Sequence, residues 1–265
     1  MRRLRVHPPE RACPGARMRI ENERDIEGLR EAGRAVARTL EEMRRAAEPG
    51  MSTRALDEIG ARALARYGAR SAPRVVYDFP GDTCISVNEE AAHGIPGDRV
   101  LAPGDVVNVD VSAELDGYFG DTGATFVVPP TSPLKERLRD AAWSALEAAM
   151  AEARAGRLLN RVGAAIERVA DEQGFTTLRD LGSHGIGRSL HETPRFIPNF
   201  FDPGDRRRLS DGMVITIEPF VSTRAVGCTT AKDGWTLVSG RGNLSAQFEH
   251  TLVIRQGQPL VMTLP

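Results

Sequence analysis

Gly104-Asp-Val-Val-Asn-Val-Asp110 sets a glycine, a run rich in β-branched residues and then an acid, and the chain repeats that plan at Gly212-Met-Val-Ile-Thr-Ile-Glu218. In both places the acid stands six residues after the glycine. Such runs read as strands. An acid inside one is unusual, because an unpaired buried charge is strongly unfavourable. The likeness extends upstream: His93-Gly-Ile-Pro96 precedes the first run and His191-Glu-Thr-Pro194 the second, each with a proline three residues after the histidine.

A pair of helices is expected ahead of each strand-rich stretch. Ile26, Leu29, Val36, Leu40 and Met43 recur at three- and four-residue steps or their sums, the apolar stripe of a helix. Asn22 can cap its start and Pro49-Gly50 closes it. A second helix follows Ser52, turns Leu56, Ile59 and Ala63 inward and stops at Gly68. The arrangement returns with Leu134, Leu138, Ala142, Leu146 and Ala149, opened by Ser132-Pro133 and closed by Gly156. A shorter helix carrying Val162, Ile166 and Val169 ends at Gly174. The segments Gly50 to Gly68 and Gly156 to Gly174 are equal in length. We read two α-α-β halves packed around a pseudo-two-fold axis. Helices grouped before strands favour the α+β class with mainly antiparallel pairing.

With 265 residues, 41% hydrophobic and 27% charged, the chain can bury a substantial core. A net charge of -1 argues against a surface built wholly for nucleic acid. No apolar run is long enough to span a membrane. Three cysteines, Cys13, Cys84 and Cys228, without zinc-type spacing, point to a reducing compartment, and cytoplasmic is the expectation. Residues 1–21 are read as a basic, mobile extension, with Arg2, Arg3, Arg5, Arg11, Arg17 and Arg19 among Pro8, Pro9 and Pro14. It could contact ribosomal RNA; alternatively Met18 is the true start. Residues 22–265 are read as the catalytic domain.

Val106–Asp110 and Thr122–Val128 flank Glu114-Leu-Asp-Gly117 and read as a hairpin. A loop centred between Leu115 and Asp116 places Asp110 directly opposite Asp121. A two-residue turn at Asp116-Gly117 makes the pair diagonal, still on one face. Two acids that close repel unless a cation or proton lies between them. Glu218 and Glu249 sit in apolar strands of the second half, the latter in Gln247-Phe-Glu-His-Thr-Leu-Val-Ile254. If the halves face each other, the four acids converge. With His184, in the glycine-flanked Gly182-Ser-His-Gly-Ile-Gly187, they make an oxygen-rich site. It suits two divalent cations, Mn, Fe or Co before a thiolate zinc site, and hydrolysis by a bridging hydroxide.

Over residues 22–265 the sequence resembles the type I methionine aminopeptidases of the pita-bread fold. The stretches that carry the resemblance are Cys84-Ile-Ser-Val-Asn-Glu, His93-Gly-Ile-Pro, Val109-Asp-Val, Gly120-Asp-Thr, His184-Gly-Ile-Gly-Arg-Ser-Leu-His191-Glu-Thr-Pro, Thr216-Ile-Glu-Pro, Lys232-Asp-Gly-Trp-Thr and Leu244-Ser-Ala-Gln-Phe-Glu249-His-Thr. The resemblance implies removal of the initiator methionine from nascent polypeptides with a small second residue. It implies five metal ligands: Asp110 on one ion, His184 with Glu218 on the other, and Asp121 and Glu249 between them. Iron, manganese or cobalt are the expected ions, with zinc as an alternative. Glu218 would shuttle the proton, His93 meet the amino end of the substrate, and His191 bond the scissile amide and stabilise the tetrahedral intermediate. Cys84, Phe79, Trp235 and Leu190 would line the methionine pocket, Leu190 standing where the family often has Phe, while Tyr77 is read as core before pocket. A monomer is expected, and no membrane partner.

Two rivals share the fold. Prolidases and aminopeptidases P usually bring a sizeable N-terminal domain, and only about twenty residues precede the first helix here. Non-catalytic pita-bread proteins lose their ligands, whereas all five positions are filled here. The basic loop Phe200-Phe-Asp-Pro-Gly-Asp-Arg-Arg-Arg208 takes no role in this reading.

Overall fold

The computed structural model describes residues 18–265. Five helices carry the outer layer: α1 (Glu23–Ala46), α2 (Thr53–Arg66), α3 (Ala72–Tyr77), α4 (Pro133–Glu152) and α5 (Asn160–Glu172). The signals read from sequence act at their ends. Asn22 accepts a hydrogen bond from Asp25 N, and Ser52 accepts one from Ala55 N. Gly50, Gly68, Gly156 and Gly174 all take positive φ, the left-handed turn that lets a chain leave a helix. The helix α3 was not anticipated; it is six residues long and contains Pro73, too short for a periodic stripe. Leu134, expected inward, is 47% exposed in the first turn of α4, while Leu138 and Leu146 are fully buried.

The two halves share one topology. In the first, the strand Val106–Leu115 lies between Cys84–Val87 and Tyr118–Val127, antiparallel to both. In the second, Val214–Ile217 lies between Gly182–Gly185 and His250–Val253 in the same sense. Each sheet is covered by its own helix pair, and each half has its own core. One joins Val36, Leu40 and Met43 of α1 to Val107, Val109 and Val111. The other joins Leu138, Ala142 and Leu146 of α4 to Ile215 and Ile217. A fully buried side chain of this size contributes roughly 1.5–3 kcal/mol. Pairing within the named strands is antiparallel throughout, in the α+β pita-bread architecture expected.

The hairpin resolves into the second of its two registers. Asp116 and Gly117 form the turn with φ of 49° and 80°, the signature of a two-residue hairpin loop. Leu115 then faces Tyr118, Ser112 faces Asp121 and Asp110 faces Gly123, so the two acids are diagonal on one face. Residues 18–21, read as the end of a mobile extension, are packed. Met18 is buried, Arg19 bridges to Met213, and Ile20 N donates to Gly212 O over 2.8 Å. An Arg-rich composition hides this, because the segment is held by backbone bonds and one apolar side chain. The rest of the basic extension lies outside the described residues.

Candidate metal centre and substrate pocket

Alternation along the central strands decides which side chains reach the site. Val107, Val109 and Val111 turn toward α1, so Asn108, Asp110 and Ser112 share the opposite face. Their cross-strand partners Thr125, Gly123 and Asp121 lie on that face too. In the second half Ile215 and Ile217 enter the core, and Thr216 and Glu218 turn the other way. The two polar faces meet. Gln247 binds them together: Asn108 Nδ2 donates to its Oε1 over 2.8 Å, its backbone N donates to Thr125 Oγ1 over 2.9 Å, and Thr125 Oγ1 donates to its carbonyl over 2.8 Å. Glu249 N donates to Gly123 O over 2.9 Å, and Asp121 N donates to Thr251 Oγ1 over 3.0 Å.

Asp121, His184 and Glu249 are buried and offer ligand atoms within 4.8 Å of one another. His184 Nε2 lies 3.4 Å from Glu218 Oε1 and 3.8 Å from Asp121 Oδ2. His184 Nδ1 lies 2.9 Å from Gly185 O, and a carbonyl only accepts. Nδ1 therefore carries a proton, and Nε2 faces the acids, the orientation of a metal-ligating imidazole. Thr216 Oγ1 accepts from His184 N over 3.1 Å and donates to Glu218 Oε1 over 3.2 Å, fixing both groups.

Burial pushes the carboxyls of Asp121, Glu218 and Glu249 well above the usual range, and the charges of neighbouring acids push them further. Asp110 rises to about 6, chiefly through burial. Asp121 Oδ1 and Glu249 Oε1 are buried with no hydrogen-bond partner. Clustered acids, two orphaned oxygens and an imidazole with Nε2 turned toward them fit divalent cations with hard ligands.

Above the acids lies a cavity of about 840 Å³, counting its open mouth. It is lined by the pocket residues named from sequence, Phe79, Cys84, Leu190 and Trp235, together with His93 and His191, and also by Tyr77, expected as core. Phe79 and Trp235 meet edge to face at 5.2 Å. Burial raises the Cys84 thiol well above its ordinary value, so it packs as a neutral, polarizable wall. His93 adopts a φ of 55°, a conformation rare outside glycine and concentrated at functional sites. The His184 and His191 rings stand 4.2 Å apart. Sequence reasoning missed Phe220 and Pro73, which also line the cavity. Phe220 could have been found from its place two residues after Glu218; Pro73 lies on the unforeseen α3. The basic loop is a brace, with Arg207 paired to Asp205 at 2.7 Å and Arg208 bonded to Gly156 O at 2.6 Å.

The sequence model of metallopeptidase family M24 matches residues 27–256. A methionine aminopeptidase 2 of Bacillus subtilis (strain 168) is 47% identical over 247 residues, 93% of this chain and 99% of the relative. A methionine aminopeptidase of Staphylococcus epidermidis is 42% identical over 247 residues, 93% of this chain and 98% of the relative. The crystal structure of a methionine aminopeptidase from Thermotoga maritima superposes with a TM-score of 0.89 at 34% identity, covering 94% of this chain and all of that one. A prolidase from Pyrococcus furiosus shares the fold, with a TM-score of 0.73 at 20% identity, 93% of this chain matching 65% of the prolidase.

Proposed function

The chain belongs to metallopeptidase family M24, and from that premise we propose that it removes the N-terminal methionine of new polypeptides whose second residue is small. One observation carries the reading: acids and a histidine from both halves are gathered under a cavity walled by sulfur and aromatic rings. Residues 22–265 act as the catalytic unit.

Asp110, Asp121, His184, Glu218 and Glu249 would hold two divalent cations, iron, manganese or cobalt, with zinc as the alternative. When bound, such ions would polarise a carbonyl and lower the pKa of a bound water. The chain's own residues do the rest. Cys84, Phe79, Leu190 and Trp235 hold the methionine side chain, whose thioether suits a polarizable, apolar slot. His93 meets the substrate amine and His191 donates to the scissile amide, where negative charge develops. Glu218 receives the proton of the attacking water and passes it to the leaving amine.

Among the described residues no helix is long and apolar enough to cross a membrane. We place the reaction in the cytoplasm, carried out by a monomer, with residues 1–17 as the segment that would touch the ribosome. The deciding assay uses the full chain, chelated and then reloaded with manganese or cobalt, on Met-Ala-Ser and on an X-Pro dipeptide. Metal-dependent release of methionine from the first, with about two bound ions by elemental analysis, is expected. Preferential cleavage of the X-Pro bond, or equal turnover with no metal, would refute the proposal.

A further inference from the structure

Two imidazoles stand side by side in the cavity, each with its Nδ1 against a different kind of partner. His184 donates from Nδ1 to Gly185 O, which leaves Nε2 facing the acids. Beside it, His191 Nδ1 lies 2.6 Å from the Tyr77 phenol oxygen, with the two rings 5.6 Å apart and inclined by 53°. We propose that Tyr77 is a positioning residue for His191: its hydroxyl donates to Nδ1 and holds the imidazole in the neutral tautomer that carries its proton on Nε2.

The direction of that bond follows from proton accounting. Burial, reinforced by the charge of Asp121, raises the Tyr77 phenol to about 12, so it keeps its proton in any working buffer. Among the described residues His191 Nδ1 is the one hydrogen-bond partner of that oxygen. Were Nδ1 the donor, the phenol proton would need a different acceptor. The proposed tautomer leaves Nε2–H to face the substrate, as a donor to developing negative charge requires. The opposite one would turn a lone pair toward it.

The structure is built to hold this contact. Tyr77 ends α3, whose first turn is capped by Ser71, and Asp78 leaves the helix in the left-handed region at a φ of 58°. Arg74 of α3 pairs with Asp82 at 2.9 Å. The buried Asp57 accepts from Asp82 N, Thr83 N and Thr83 Oγ1, pinning the far end of the loop. On the other side, buried Glu192 accepts from Arg188 N over 2.7 Å, Ser189 N over 2.9 Å and Met18 N, fixing the turn that presents His191. Tyr77 and His191 come from different halves, so their bond also spans the cavity.

The inference rests on the role given to His191 above, and its test separates the two. The full chain, labelled with nitrogen-15 in its histidine rings and loaded with diamagnetic zinc, is compared with Tyr77→Phe by long-range proton–nitrogen spectra. His191→Asn supplies the assignment. We expect Nδ1 at an acceptor shift and Nε2 at a protonated one in the native chain, and a mixed or reversed pattern in Tyr77→Phe. We also expect kcat on Met-Ala-Ser to fall about 10- to 100-fold, with KM within about twofold and metal content unchanged. A native spectrum with the proton on Nδ1, or one that Tyr77→Phe leaves unaltered, overturns the assignment whatever the activity. A Tyr77→Phe enzyme with an altered spectrum but native turnover overturns the catalytic role of His191 on which the assignment rests.

Discussion

Asp110 is a residue on which stability and function pull in opposite directions. Its carboxyl is raised to about 6, so in the metal-free protein folding is favoured with the proton on and disfavoured as it leaves. The stabilising contribution is complete below the unfolded value of roughly 4 and is lost as pH climbs through about 6. Asp110→Asn cannot ionise. In chelated samples its melting temperature is therefore expected to exceed that of the native chain by a margin that widens from pH 5 to pH 8. With metal present the order reverses and turnover is lost. A margin that stays constant with pH would show that Asp110 ionises without cost in the folded chain. His191→Ala should behave differently. The His191 Nδ1 is engaged by the Tyr77 phenol and the residue stands outside the proposed ligand set, so the variant is expected to keep its metal and lose about 10²- to 10³-fold in kcat. Loss of metal in that variant would move His191 into the coordination sphere. These residues were legible because an acid in an apolar strand is chemically conspicuous. Pro73 was not, since a residue on a helix too short for a periodic stripe carries no mark of the cavity it faces.

Among the elements, the hairpin and the strand pair it docks against control how the acids converge. The caps and turn glycines were readable because each serves a local backbone need, and their counterparts in the folded chain do what their chemistry requires. Register was readable only as two alternatives, for Asp116-Gly117 fits a tight turn while Glu114–Gly117 also fits a longer one; the positive φ at both central residues decides it. The junction between the halves left no sequence signal at all, because it is made by Gln247, Asn108 and Thr125, ordinary polar residues until packed. Gly123 shows how tight that junction is. A Cβ at this position would lie 2.3 Å from Gln247 Oε1, and residue 123 is the direct strand partner of Asp110. Gly123→Ala must push Gln247 away and disturb Glu249, whose Oε2 accepts from the Gln247 amide over 3.0 Å. We expect a stability loss of about 1–3 kcal/mol and weaker metal retention, measured by denaturant unfolding and by dialysis against chelator. A variant with native stability and native metal content would mean the halves meet with more slack than these distances allow.

At the level of the whole molecule, the site belongs to neither half. Each half has a separate apolar core, and between them run a third cluster and the polar face that holds the acids. The third cluster includes Met18, whose side chain fills the space over Gly187, where an added Cβ would come within 2.5 Å of it. Met18 N also donates to Glu192, the carboxylate that fixes the turn beside His191. The first described residues thus clasp the second half while leading into α1 of the first, and they do so one residue away from a proposed catalytic side chain. Two truncations test this. A chain beginning at Met18 retains both cores, the clasp and every residue of the site, and is expected to match the full chain in melting temperature and in kcat on Met-Ala-Ser. A chain beginning at Asn22 loses the buried methionine, the Ile20 bond to Gly212 O and one of the bonds to Glu192. It should melt several degrees lower, the shift expected for a loss of about 2–5 kcal/mol at a buried methionine. Its kcat should fall while its metal content holds, since the turn carrying His191 is loosened and the ligand strands are not. Equal behaviour of the two truncated chains would place the clasp outside both folding and catalysis, and the link from Met18 to His191 would be incidental.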